Sequence, residues 1–255
     1  MEELIQDVRF AFRLLLKSPA FALTVVLALG IGIGANSAIF SILDATLFKP
    51  LPYEQPDRLV KIWMRFTGIG LPKDQNWVSA NEFVDLRDQN RCFSHIAAYS
   101  GASYSIKIGS IPERVDGAVV SASFFALLGA RPSAGRLFLP ADDRTGQEDV
   151  VVLSHALWVR GFGADSGVLG KTITMNARAY TVVGVAPAGF QFPLNAELWT
   201  PLAFAAGDLS PNSRGNHGLE VIARIRSGVS FDQALSDMQA LSQRIIEQNA
   251  GYPYA

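Results

Sequence analysis

Charged side chains vanish from the chain between Lys17 and Asp44, leaving 26 consecutive uncharged residues from Ser18 to Leu43. At 1.5 Å per residue that run makes a helix of roughly 39 Å, more than a hydrocarbon core of about 30 Å requires. The segment before it has a different pattern. Within residues 1–17, Leu4, Ile5, Val8, Phe12, Leu15 and Leu16 recur at spacings of one, three and four, while Arg9, Arg13 and Lys17 repeat every four residues along one helical face. Such a helix lies in a membrane interface, apolar side in lipid and cations toward headgroups. Ser18-Pro19 separates the two, because proline suits a helix start and disrupts a helix interior. The pattern predicts an amphipathic elbow helix over 1–17 and a transmembrane helix over 18–43.

Residues 44–255 carry the mixed periodicities of a folded domain. After the stiff exit Lys49-Pro50-Leu51-Pro52-Tyr53, Arg58 to Phe66 alternates as a strand does, and 67–78 reads as a loop rich in Gly, Pro and Asn. Ser79-Ala80-Asn81-Glu82 is a capping box opening a helix to about Gln89, with Phe83 and Leu86 inward. Short strands follow near 95–108 and 113–121, then a helix over Ser123–Leu128 stopped by Gly129 and Pro132. Val150–Leu153 reads as a buried strand, and Ser154 caps a helix through Phe162. Thr172–Asn176 and Tyr180–Val185 form a hairpin around Ala177-Arg178, with further strands at Glu197–Leu202 and Leu219–Ile225. A second capping box, Ser230-Phe231-Asp232-Gln233, starts a last helix whose Phe231, Ala234, Leu235, Met238, Leu241 and Ile245 face a core.

Charge distribution orients this arrangement. Arg9, Arg13 and Lys17 precede the span and only Asp44 and Lys49 soon follow it, which places the N-terminus in the cytoplasm and the main domain outside the cell inner (plasma) membrane. The predicted architecture is α+β: one N-terminal transmembrane helix followed by a mixed α/β extracytoplasmic domain of two subdomains. A cleavable signal peptide has an apolar region of about 7–15 residues and no acidic amphipathic helix ahead of it, so it fits poorly here. The mean hydropathy of +0.21 reflects the N-terminal run, and a net charge of −1 offers no basic field to hold nucleic acid. Inside the span, Gly30 and Gly34 form a small-xxx-small pair that Ala38 extends, and Asn36 and Ser37 add polar groups needing an interhelical partner. Helices of lipid-embedded assemblies approach closely at such faces, so partner helices are expected there in addition to lipid.

The search for catalytic chemistry returns little. His95, His155 and His217 lie far apart and lack metal-site spacing, and the single Cys92 excludes a thiolate zinc site and an intrachain disulfide. Cys92 and His155 read as structural, whereas His217 sits in a polar loop facing a partner or solvent. Asp142-Asp143 reads as a solvated turn. Trp63, Trp77 and Trp199 read as core residues ahead of a docking face for an envelope partner. The Gly30–Gly34 run follows no strand and fails the dinucleotide spacing. With no nucleophile, base and orienter in any pattern, the chain is expected to be no enzyme and to need no cofactor.

Longer words in the chain carry a resemblance. Asp7-Val8-Arg9-Phe10-Ala11, Lys17-Ser18-Pro19-Ala20-Phe21 and LALGIGIGANSAIFSILDATLFKPLPY (27–53) open it. Pro56-Asp57-Arg58-Leu59-Val60, GAVVSASFFALLGARPSAGRLF (117–138), VVVLSHALWVRGFG (150–163), YTVVGVAPAGFQFP (180–193) and VIARIRSGVSFDQA (221–234) continue it. In these words the chain resembles ABC transporter permeases of the MacB-like and FtsX-like group, specifically the duplicated orphan class. The resemblance implies that 44–255 is a MacB-like periplasmic core domain and that a separate ABC ATPase subunit drives its movement. It also implies further permease helices or a second permease copy as partners, for export or mechanotransmission, and supplies no catalytic residues. Three more helices ordinarily follow such a domain, so this chain is expected to be a piece of a longer permease. The alternative is a membrane-anchored extracytoplasmic binding or sensor module without transport activity; an anchored envelope enzyme would need a convergent polar pocket.

Overall fold

The computed structural model describes residues 17, 19–43, 53–64, 77–108, 111–193 and 195–250. The expected elbow helix with Arg9 and Arg13, the residues from Asp44 to Pro52, and 65–76 of the expected strand and loop lie outside them. The chain divides into two units, Met1–Pro52 and Tyr53–Ala255.

The described part of the first unit is essentially one helix, α1 (Pro19–Leu43), of which Pro19–Ser41 is long and apolar enough to cross a membrane. Its apolar side chains, Phe21, Leu27, Ile31, Ile33 and Phe40 among them, are exposed. Two of its hydroxyls bond within the helix: Thr24 Oγ1 donates to the Ala20 carbonyl at 2.9 Å and Ser41 Oγ to that of Ser37 at 2.8 Å. Lys17, just before it, is exposed.

In the second unit a short 3-10 turn (Pro56–Arg58) leads into β1 (Leu59–Ile62), and β2 (Val78–Ser79) runs into α2 (Ala80–Gln89). The Ser79 capping box forms as expected: Ser79 Oγ accepts from Glu82 N, and the Glu82 carboxylate accepts from Ser79 N at 2.8 Å. Two long antiparallel strands follow, β3 (Phe93–Ile108) and β4 (Ile111–Val120), where short ones were expected. Then come α3 (Ser123–Leu127), β5 (Ala134–Gly135), β6 (Val150–Leu153), α4 (His155–Phe162), β7 (Thr172–Met175), β8 (Arg178–Val185), β9 (Leu198–Pro201), β10 (His217–Ile225) and α5 (Phe231–Gln248). Ser154 and Ser230 cap α4 and α5 as their positions in the sequence imply.

All the strands belong to one mixed sheet, ordered β1-β10-β3-β4-β9-β6-β8-β5, with β2 pairing β10 and β7 pairing both β3 and β8. Through β7 the pairings β3–β4–β9–β6–β8–β7–β3 close a six-stranded ring. Every strand of the ring contributes to one apolar cluster: Tyr104 and Ile106, Val115, Leu198, Val151 and Leu153, Val182, and Met175. Closure removes unpaired edges, and a ring this small is filled by its own side chains.

Outside the ring, β3 and β10 form an open sheet buried on both faces. The pleat sends Ile96 and Ala98 of β3, with Val221, Ala223 and Ile225 of β10, toward α2 and α5, where Phe83, Leu86, Leu241 and Ile245 meet them. Ala97, Tyr99 and Ile222 point the other way, into a cluster with Phe124, Phe125, Phe138, Phe190 and Trp199. The two subdomains read from sequence are thus two regions of a single sheet, with β3 running through both.

Candidate functional site

Two places stand out: the small-residue face of α1, and the clasp that fastens the chain after Pro52 onto the domain. On α1, Gly30, Gly34 and Ala38 recur every four residues and are exposed, and a side chain added at Gly30 or Gly34 would meet nothing within 4 Å. Asn36 is exposed too. Unlike Thr24 and Ser41 it makes no side-chain hydrogen bond among the described residues.

The clasp is built around Arg224, a buried guanidinium that forms no ion pair among the described residues. Its Nε and Nη2 donate to the Leu127 carbonyl at 3.1 and 2.6 Å, and Nη1 donates to the Gln55 carbonyl at 3.1 Å. Leu127 is the last residue of α3, where backbone carbonyls lack intrahelical donors and the helix dipole is negative. Burial pushes the Arg224 value down, and the charge of nearby Glu54 offsets part of that. Arg58 closes the other side, donating to Gln55 Oε1 at 2.6 Å, Ser227 Oγ at 2.9 Å and the Ile225 carbonyl. Gly129 adopts φ +70°, and a Cβ there would sit 2.5 Å from that of Glu54, so Glu54 lies close against the chain just after α3. Tyr53 completes the attachment by packing edge-on against Phe190 and Phe192, with centroids 6.2 and 6.0 Å away.

The remaining candidates fall in varied surroundings. Cys92 is buried as expected, and burial pushes its thiol up. His155 packs edge-on against Trp158. His217 is not in a loop: it opens β10, half-buried, with Nε2 3.3 Å from the Glu82 carboxylate and Nδ1 3.0 Å from the Gly215 carbonyl. Trp199 is core, but Trp63, just beyond β1, and Trp77, just before β2, are exposed. Asp142-Asp143 is no solvated turn. Asp142 is buried against Arg136, whose Nη1 and Nη2 reach it at 2.6 and 3.0 Å, and Asp143 Oδ2 accepts from Ala122 N at 2.7 Å. Sequence spacing treated the pair as surface because it could not show that the turn folds back onto α3.

A polar cavity of about 330 Å³ opens beside the start of α4, between Arg114, Asp116, His155, Gln191 and Asn195. Glu197 on its wall is already held by Arg160 at 2.6 and 3.0 Å. Among the described residues no group of His, Cys, Asp and Glu is placed to hold a metal ion.

The sequence matches the family model of the MacB-like periplasmic core domain over residues 22–241. The chain belongs to that family. The match begins within α1 and ends within α5, so it takes in both units. Among curated protein sequences none matches. Solved structures share the fold of this MacB-like domain. The periplasmic region of MacB from Actinobacillus actinomycetemcomitans is 18% identical with a TM-score of 0.54, covering 76% of this chain and 85% of that one. The extracellular domain of the noncanonic ABC-type transporter YknZ from Gram-positive bacteria is 17% identical with a TM-score of 0.55, over 77% and 97%. A domain of a protein from Porphyromonas gingivalis is 19% identical with a TM-score of 0.57, over 75% and 86%.

The clasp was the part that sequence reading missed. Its signal was present: Arg224 interrupts the apolar run of β10 on the face it shares with buried Ile222, where a cation has no place unless something holds it.

Proposed function

We propose that this chain is the membrane-anchored portion of an ABC-type export permease, in which a separate ATPase drives movement of the extracytoplasmic domain. The observation that carries the reading is the family match, whose bounds, 22–241, take in most of the membrane-length helix as well as the domain. In this reading α1 spans the inner membrane with Arg9, Arg13 and Lys17 on the cytoplasmic side, and residues 44–255 lie outside. The face made by Gly30, Gly34, Asn36 and Ala38 packs against further permease helices or a second copy. Displacement of the span is passed through Tyr53–Arg58 and Arg224 to β10, a central strand, and to α3. The chain itself performs no bond chemistry, and an envelope partner contacts the outer domain.

Gly34→Leu tests the reading. A Leu side chain would hold a neighbouring backbone away, so the variant should reach the membrane with its domain folded and yet lose ATPase subunits that co-purify with the native protein. If no ATPase accompanies the native protein, or Gly34→Leu retains it fully, the chain is better described as an anchored binding or sensor module.

A further inference from the structure

Asp142 and Asp143 are adjacent but differently provided for. Asp142 receives two bonds from Arg136 and a third from Leu139 N at 2.7 Å. Asp143 receives one, from Ala122 N, and its Oδ1 is buried with no hydrogen-bond partner among the described residues. An ionised carboxylate offers about four acceptor sites, so a buried oxygen without a donor is unfavourable while the charge is present and much less so once the group is protonated.

We infer that Asp143 is a pH-dependent latch, fastening the 139–149 segment to the start of α3 while protonated and loosening it on ionisation. The charged groups around it come from two elements. Arg87 of α2 favours ionisation, but its guanidinium is bound to Asp88 at 2.7 and 3.2 Å; Asp142 of the same segment opposes ionisation. The start of α3 contributes Ser121, Ala122 and Ser123, which carry no charge. Burial outweighs the Ala122 bond and Arg87, and the carboxyl is pushed up to about 6 from an ordinary 3.8. The closed value is the higher one. Closure is therefore favoured fully below the ordinary value, and that advantage is lost as pH rises through about 6. The segment stays anchored elsewhere, by Arg136, by Thr145 Oγ1 donating to the Phe204 carbonyl at 2.9 Å, and by Arg178 on Glu148 and Asp149. Opening is thus a local event at the Asp143–Ala122 contact. In the location proposed above, the latch meets the pH outside the cytoplasm.

The test is hydrogen exchange of the Ala122 amide in the full chain reconstituted in nanodiscs, at pH 5 and pH 7, corrected for the intrinsic pH dependence. Protection should fall about tenfold between the two in the native chain. It should stay level in Asp143→Asn, whose side-chain oxygen still accepts from Ala122 N. Equal pH dependence in both proteins, or none in the native one, overturns the latch. Direct titration of the Asp143 carboxyl carbon by NMR decides the matter independently of the variant: a midpoint near 6 supports it and one near 4 overturns it. Neither readout requires an ATPase partner, so failure here leaves the transport reading standing, and the converse holds.

Discussion

Asn176 and Ala177 form the two-residue turn between β7 and β8, and both take positive φ, 48° and 63°. That is the geometry of the hairpin turn whose twist matches its strands, and it favours Asn then Gly. Asn176 fits, and its side chain also receives Ser105 N at 2.8 Å and donates to the Ser103 carbonyl at 3.3 Å. Ala177 does not fit, since its Cβ crowds the backbone in the left-handed region. Ala177→Gly should therefore stabilise the domain by about 1 kcal/mol, read as a higher midpoint in thermal or urea unfolding; an unchanged or lower midpoint would mean the turn relaxes otherwise. Gly184 is the opposite case. Its Cβ would run into the Arg136 carbonyl, so Gly184→Ala should cost about 3 kcal/mol, measured the same way.

Helix α5 shows how much of an element its own periodicity specifies. The apolar positions were all read as facing a core, and Ala234, Leu241 and Ile245 do so against β3 and β10. Phe231 and Leu235 do not: they are 61% and 47% exposed. The apolar arc of the helix is wider than the strip of sheet beneath it, and only packing decides which edge of the arc is covered. Leu241→Ala should cost about 3 kcal/mol through lost burial and a residual cavity. Phe231→Ser, at an exposed site beyond the cap residue, should move stability by no more than about 0.5 kcal/mol. Paired urea titrations check the contrast, and equal losses would show that the uncovered arc is buried in the intact protein.

At the scale of the whole domain, β3 decides the behaviour. Its first half pairs with β10 in the open sheet and its second half closes the ring against β7, so neither region keeps its hydrogen bonds if the other unfolds. The domain should open as one cooperative unit. Native-state exchange at Val151 and Val182 in the ring, and at Val221 and Ala223 in the open sheet, should report one common free energy of opening. A markedly lower value for either pair would restore two independent subdomains. The clasp belongs to this scale as well: Arg224, a residue of β10, donates to the Gln55 carbonyl and to the end of α3 at once.

Much of this was legible beforehand, for physical reasons that differ by feature. A membrane-length helix follows from an uncharged run alone, because lipid sets a length and a polarity that no neighbour changes. The three serine caps were legible because a cap is a contact between residues three apart. The family emerged from long words of sequence. Long-range contacts decided the rest. Ring closure rests on Ile106 meeting Met175, and the clasp on Arg224 meeting Leu127 and Gln55. The partial burial of Asp143 rests on a turn folding back to Ala122, 21 residues earlier. Local sequence determines which conformations are cheap; only the assembled sheet determines which charges lose their water.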